Sequence, residues 1–515
     1  MEDALIRAFR DAAFYDHPTE SIRLIETHIS WVFLTGEYVY KLKKPVRLPF
    51  LDFSTLKQRR FFCEEELRLN RRLAPELYVD VVPIGGSADA PILGQEPAIE
   101  YAVKLRQFAD GSRLDEHLAS TGIPTADIIR LAESIAKFHD SLPATREFGS
   151  ADAIVDVIMT NVDETRQVLD SPAHAEDLDA LRTWLTQRCD ELAQALAERH
   201  ASGAIRECHG DLHLENLAYW NDRIVAFDAL EFDPRLRCMD VIDEIAFLVM
   251  DLEAHGEIGL AYEFLNRYLE VGGDYAGLSV FRLYQVHRAL VRAKVAEIKL
   301  SQRPADRDGI SETADRYFRR ARESIHDGTP LLLITHGLSG SGKTTLTSEL
   351  ISRLPAIRGR SDLERKRLHG LAPDAKSAST VGGGLYEMDS SQATYERLRS
   401  GAASALKAGL NAIVDATFLR RSDRDGFRQL AQEAGAASVL LDCQASEAHL
   451  RGRIEARLAQ DSDASEANLE VLDSQLRTQE PLGEDELTDT VRVDTDQDVD
   501  FDALADEIRA RIPEG

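Results

Sequence analysis

The run Gly337-Leu-Ser-Gly-Ser-Gly-Lys-Thr344 carries the most specific chemistry in the sequence. It fits GxxxxGK[ST] in full, follows the apolar run LLLIT and precedes the helix-like TLTSELISRL, the strand–loop–helix context that the pattern needs. Glycines let backbone N–H groups converge on phosphate oxygens, and the helix N-terminus behind them adds partial positive charge. The spacing assigns Gly337, Leu338, Ser339, Gly340, Ser341, Gly342, Lys343, Thr344 and Thr345 to such a cradle. Lys343 is expected to reach the β- and γ-phosphates of ATP, and the Thr344 hydroxyl to ligate Mg²⁺.

Three further stretches surround that loop in the sequence. Asp362 and Arg365, in RSDLER, fall where the second strand of the sheet should end, the usual ligand side. An aspartate there can take the proton of an attacking hydroxyl, and an arginine one turn on can hold the acceptor. A plain helix N-cap at Ser361 or Asp362 explains the same residues locally. Asp415 ends the apolar run AIVDATF and is positioned to support Mg²⁺. Arg453 and Arg457 stand at i,i+4 in HLRGRIEARL, where they can close over phosphates or simply form a solvated basic face.

A second centre lies in Cys208-His-Gly-Asp211-Leu-His213-Leu-Glu-Asn216. Asp211 and Asn216 have the spacing of an HRDxxxxN catalytic loop, in which the aspartate takes the hydroxyl proton and the asparagine ligates a metal. Asp228 closes the strand-like IVAF and suits the other Mg²⁺ ligand. His209 and His213 share the i,i+4 spacing of a transition-metal pair. Gly210 disfavours a helix through them and no cysteine pair accompanies them, so the pattern reads against zinc.

The elements that must position these residues follow from pattern. HISWVFLTGEYVYKLKK reads as a hairpin around Thr35-Gly36, FCEEELRLNRRLAP as a helix stopping at Pro75, and most of 126–202 as helical. Apolar density falls over 301–330. LLLITHG, AIVDATF and ASVLLDC then read as buried parallel strands separated by helices. The boundary is placed near residue 328.

Composition excludes several classes. The 515 residues carry 61 basic and 89 acidic side chains, a net charge of −28 that disfavours extended nucleic acid and anionic membranes as partners. No run is long and apolar enough for a membrane span, and the N-terminal residues do not read as a signal peptide. The five scattered cysteines, with no CxxC pair, suit a reducing cytoplasm.

The residues of the first half resemble the aminoglycoside phosphotransferase and choline kinase class, whose loop reads HGDxHxxN. That resemblance implies an α+β protein-kinase-like domain over 1–327. It also implies a strand lysine paired with a helix glutamate. Lys41 is the first choice, with Lys43 on the same strand face. Glu65 is preferred among Glu64–Glu66 from its spacing to Arg68 and Leu69. EYAVKLRQF would supply the adenine hinge, and Asp240 would brace the loop or act as an N-cap. GLSGSGKTT, RSDLERKRL, VDATFLRR and the arginine-rich lid followed by DASEA are similar to P-loop kinases related to polynucleotide kinase, gluconate kinase and zeta toxins. This implies an α/β P-loop domain with a parallel sheet over 328–515, with Asp362 as base and Arg365 on the acceptor. The combination resembles bacterial fusions of these two domains. The expectation is a two-site kinase acting on hydroxyl groups of small molecules such as sugars, amino sugars or nucleosides. A nucleotide-gated regulator, an antibiotic phosphotransferase and a nucleic-acid 5′-end kinase are the competing readings.

Overall fold

The computed structural model describes residues 2–48, 51–169, 171–302, 307–326, 328–372, 388–460 and 467–513. Contacts divide the chain into two units: Met1–Asp156 with Leu196–Asp251, and Val157–Ala195 with Leu252–Gly515.

In the first unit, alternating apolar residues build an antiparallel sheet. Its strands are β1 (Arg23–Glu26), β2 (Ser30–Leu34), β3 (Tyr38–Lys43), β4 (Tyr78–Ser87), β5 (Ala90–Leu93) and β6 (Glu100–Arg106), in the order β1-β2-β3-β6-β4-β5. The expected hairpin forms, with Leu34 opposite Val39 across a turn where Gly36 holds a φ of 99°. Side chains of β3 alternate between faces. Tyr40 and Leu42 join Phe9, Trp31 and Phe33 on one side. Val39 packs with Cys63, Val103 and Leu105 on the other, the side that Lys41 and Lys43 share. Helix α1 (Leu56–Asn70) covers that side and opens with a reciprocal Thr55–Gln58 capping box. The Cys208–Asn216 loop leads into a hairpin of β7 (Leu217–Trp220) and β8 (Arg223–Ala226).

In the second unit, β9 (Leu331–His336), β10 (Ala356–Arg360), β11 (Asn411–Asp415), β12 (Ala437–Gln444) and β13 (Thr490–Asp494) form a sheet in the order β10-β11-β9-β12-β13. Every neighbouring pair is parallel. Such a sheet is covered on both faces, which is why LLLI is continuously apolar and continuously buried. Helices α2 (Ile258–Gly272), α3 (Lys343–Arg353), α4 (Ser361–Leu368), α5 (Glu447–Gln460) and α6 (Leu469–Thr478) belong to this unit. The carboxyl ends of β9, β10 and β11 deliver the glycine-rich loop, α4 and Asp415 to the same end of the sheet. Among the described residues, no helix is long and apolar enough to cross a membrane.

All five cysteines are free and buried. Burial pushes the thiols of Cys63 and Cys443 up to about 12 and that of Cys189 up to about 11. The thiolate is the nucleophile, so burial and the scarcity of thiolate near neutral pH both make these side chains slow to react. Native protein at pH 8 is expected to resist iodoacetamide at these three positions and to react fully in denaturant. Peptide mass spectrometry checks this, and rapid native labelling of Cys63 or Cys443 would contradict the packing.

Candidate active sites

Strand alternation and helix periodicity together build the first site. Lys41 Nζ lies 2.5 Å from Asp228 Oδ1 and 3.0 Å from Glu66 Oε1. Burial works against the Lys41 charge, but Asp228 and Glu66 outweigh it and hold the ammonium well above its ordinary pKa. Lys43 is buried completely: its Nζ meets Glu66 Oε2 at 2.7 Å and also contacts Glu231. Of the two lysines, Lys41 is therefore the one that reaches Asp228.

The helix partner is Glu66, which corrects the expectation of Glu65. Arg59, Cys63, Glu66 and Asn70 are the buried polar and thiol positions of α1, spaced i, i+4, i+7, i+11 on the face against the sheet. Glu65 is rotated about 100° from that face and pairs instead with Arg68 at 2.8 Å. The spacing to Arg68 that favoured Glu65 marks a pair turned away from Lys41 and toward Glu207 and Arg237.

The loop brings its predicted residues together. Asn216 Nδ2 donates to Asp211 Oδ2 at 2.8 Å and to the Asp211 carbonyl at 3.0 Å, which leaves Oδ1 as the asparagine atom able to face a cation. The Phe227 N–H donates to the Asn216 carbonyl at 3.0 Å, so Asp228 follows directly on a residue tied to the loop. Asp228 holds a φ of 61°, an uncommon conformation for a residue other than glycine. Tyr78 Oη accepts its N–H at 3.0 Å, and Asn70 Oδ1 accepts that of Ala229 at 2.8 Å. Asn216 and Asp228 offer only oxygen, which suits a hard cation such as Mg²⁺.

His209 and His213 are loop braces. His209 bonds the Phe227 carbonyl through Nε2 at 2.9 Å, and burial lowers its pKa. His213 Nε2 lies 3.3 Å from Asp211 Oδ2. Asp240 accepts from the Ile242 N–H at 2.9 Å and pairs with Arg199, in keeping with the N-cap alternative. Sequence reading misses the side chains that hold the Cys208–Asn216 loop itself. Glu244 Oε1 accepts from Gly210 N–H at 2.6 Å while its Oε2 meets His139 at 2.8 Å, and Asp251 accepts from Leu214 N–H at 2.9 Å.

The second site is a cavity of about 1110 Å³. Ser339, Gly340, Gly342, Lys343, Thr344, Thr345, Asp362, Arg365, Asp415, Arg453 and Arg457 all line it. The remaining loop residues face inward. A Cβ at Gly337 would meet the Cys443 carbonyl at 2.6 Å, Ser341 is buried, and Leu338 packs with Leu450, Ile454 and Leu472. Gly340 and Gly342 hold φ of 86° and 82°, which only glycine adopts without strain. Lys343 Nζ donates to the carbonyls of Gly337 at 3.0 Å and Leu338 at 2.7 Å, and burial lowers its pKa. A phosphate oxygen would give that ammonium an anionic partner, so the cradle fits the group.

Asp415 accepts from Thr347 Oγ1 at 3.3 Å, and Asp362 pairs with Arg365 at 3.0 Å. Helix α4 starts at Ser361 with Arg360 at its N-cap, so Asp362 sits in the first turn and not at the cap. Arg453 donates to the Gly340 carbonyl at 3.3 Å and to Thr495 Oγ1 at 2.9 Å, and Arg457 donates to the Ala467 carbonyl at 2.7 Å. The lid stretch between α5 and Ala467, which contains most of DASEA, lies outside the described residues.

Removing one partner of a buried charge cluster is strongly unfavourable. Glu66→Gln is expected to weaken ATP binding at the first site by about tenfold or more, whereas Glu65→Gln changes it by less than about twofold. Titration of a fluorescent ATP analogue into Lys343→Ala protein, in which the other site is disabled, measures the difference. Equal effects of the two substitutions would contradict the assignment.

A family model described as "Phosphotransferase enzyme family" matches residues 46–281, and one described as "AAA domain" matches residues 332–482. An uncharacterized protein of Mycobacterium tuberculosis is 30% identical over 458 residues, covering 87% of this chain and 89% of that protein. Among solved structures, a choline/ethanolamine kinase family protein from Mesorhizobium loti is similar over 63% of this chain and 95% of its own (13% identity, TM-score 0.38). A gluconokinase from Sinorhizobium meliloti is similar over 36% of this chain and 90% of its own (25% identity, TM-score 0.24). The chain belongs to the same family as the mycobacterial protein, and it is a kinase-type phosphotransferase that joins an aminoglycoside-phosphotransferase-like domain to a P-loop kinase domain.

Proposed function

We propose that the chain carries two ATP- and Mg²⁺-dependent sites, in domains spanning 1–327 and 328–515. Each transfers the γ-phosphoryl group to a hydroxyl of a small molecule such as a sugar, amino sugar or nucleoside. The observation that carries the reading is the shared cavity of the second unit, where a phosphate cradle, a carboxylate base and five arginines, Arg365, Arg453 and Arg457 among them, face one space. The first site repeats the logic with Lys41, Asp211, Asn216 and Asp228. We place both activities in the cytoplasm.

Bound Mg²⁺ would neutralise phosphate charge and fix the triphosphate. The chain's residues do the rest by positioning and charge complementarity. In the first site Lys41 holds phosphate oxygens, Asn216 and Asp228 provide the metal's oxygen donors, and Asp211 takes the acceptor's proton. In the second, Lys343 and the N–H groups of the loop hold the β- and γ-phosphates, with Thr344 and Asp415 beside the metal. Asp362 takes the proton, Arg365 holds the acceptor, and Arg453 and Arg457 close over the phosphates. At each site the acceptor oxygen bonds to the γ-phosphorus as the bond to the β–γ bridging oxygen breaks, and ADP leaves. Because both residue sets stand in one chain, the two sites acting in turn on one metabolite is part of the proposal.

The test is ADP release against a panel of sugars, amino sugars and nucleosides, with products read by mass spectrometry. Asp211→Ala and Lys343→Ala are each expected to abolish one activity by about 100-fold or more and to spare the other. Saturable ATP binding with no acceptor turnover would favour the regulatory reading. Phosphorylated kanamycin-like products would favour the antibiotic enzyme. If the product of one site never serves the other, the sequential scheme fails.

A further inference from the structure

Helix α2 lies inside the sequence matched by the phosphotransferase family, yet its polar face is spent on the P-loop sheet. Strand β10 is an edge strand, and its outward backbone groups need partners. Asn266 supplies them as a further strand would: its Nδ2 donates to the Ala356 carbonyl at 2.8 Å and its Oδ1 accepts the Arg358 N–H at 2.6 Å. Tyr275, just beyond α2, donates its hydroxyl to the Arg358 carbonyl at 3.0 Å.

The side chain of Arg358 runs on toward the site. Its guanidinium is buried and paired with Glu270, Nη2 to Oε1 at 2.7 Å, and Nη1 donates to Ser348 Oγ at 2.7 Å. Thr347, 3.5 Å from the same Nη1, donates to Asp415 Oδ2. The end of α2 also docks α4, the helix bearing Asp362 and Arg365. Arg367 donates to the Glu270 carbonyl at 2.7 Å and crosses Gly273, where a Cβ would meet its Nε at 2.5 Å.

We infer that α2 is a positioning element of the P-loop site, with Glu270 as the positioning residue that holds Arg358 away from Asp415. This rests on the reading of that cavity as an ATP site. The physical reason is charge. Arg358 is buried and always protonated, and Glu270 is the carboxylate it touches. Once Glu270 is neutral, the carboxylates left near Arg358 are Glu263 and, along the Thr347 bridge, Asp415, and an arginine drawn to Asp415 competes with Mg²⁺.

The experiment uses full-length protein carrying Asp211→Ala, so that only the second site turns over, and reads Mg²⁺ dependence of ATP binding and ADP formation. Glu270→Gln is expected to raise the half-saturating Mg²⁺ by about fivefold to tenfold, the scale of one weakened polar contact. ADP formation at saturating Mg²⁺ is expected to recover to within about twofold. Arg358→Met in the same protein should abolish the Mg²⁺ effect of Glu270→Gln, because the displaced arginine is gone and Arg360, already 4.0 Å from Asp415, is unchanged. An unchanged Mg²⁺ requirement in folded Glu270→Gln protein would overturn the inference alone. So would a loss that saturating Mg²⁺ does not restore. If Glu270→Gln does not fold, Arg367→Ala decides: loss of turnover at unchanged Mg²⁺ affinity supports docking of α4 by α2, and unchanged turnover overturns it. Absence of Lys343-dependent ATP binding in the parent protein would instead sink the reading of the site, and the inference with it.

Discussion

Taking an ammonium group out of water is costly unless an anion or a set of hydrogen-bond acceptors meets it. Both candidate sites are organised by that constraint, and they meet it in opposite ways. Lys41 lies between Asp228 and Glu66, and their charges keep it firmly protonated. Lys343 leans on carbonyl oxygens of its own loop, and burial makes its proton easier to lose. The first lysine belongs to a fixed charge cluster tying β3, α1 and the Asp228 turn together. The second leaves room for an incoming anion to complete its coordination. In a chain with a net charge of −28, such local cation placements are what make a polyphosphate welcome at all.

The same constraint explains the strain beside the first site. Asp228 keeps a positive φ while its N–H and that of Ala229 are held by Tyr78 and Asn70. Glu66 and Glu231 then share Lys43, linking the helix to the segment just beyond that turn. The unusual backbone is over-determined by its neighbours, which is how a strained residue persists at a site that needs one orientation.

How much was legible in the sequence depended on whether the chemistry was local. The glycine loop was legible because its conformation is a local property of the backbone: Gly340 and Gly342 adopt the conformations that the motif demands. Asp211 and Asn216 were legible for a similar reason, since only four residues separate partners that touch. The hairpin and the parallel strands followed from period and burial. Glu66 was misread because three consecutive glutamates look alike until the buried stripe of Arg59, Cys63 and Asn70 fixes the rotation of the helix. Glu244 and Asp251 had no local signal. They brace a loop more than thirty residues away, as their bonds to Gly210 and Leu214 record. The pairing of Glu270 with Arg358 is longer still and joins stretches that match different families.

The central claim is that one chain presents two independent polyphosphate sites, each centred on its own buried lysine. Isothermal titration calorimetry of full-length protein with a non-hydrolysable ATP analogue and Mg²⁺ counts them directly. The account predicts two nucleotides per chain, with Lys41→Met removing one and Lys343→Ala removing the other. A single nucleotide per chain, or the loss of both on either substitution, would contradict it.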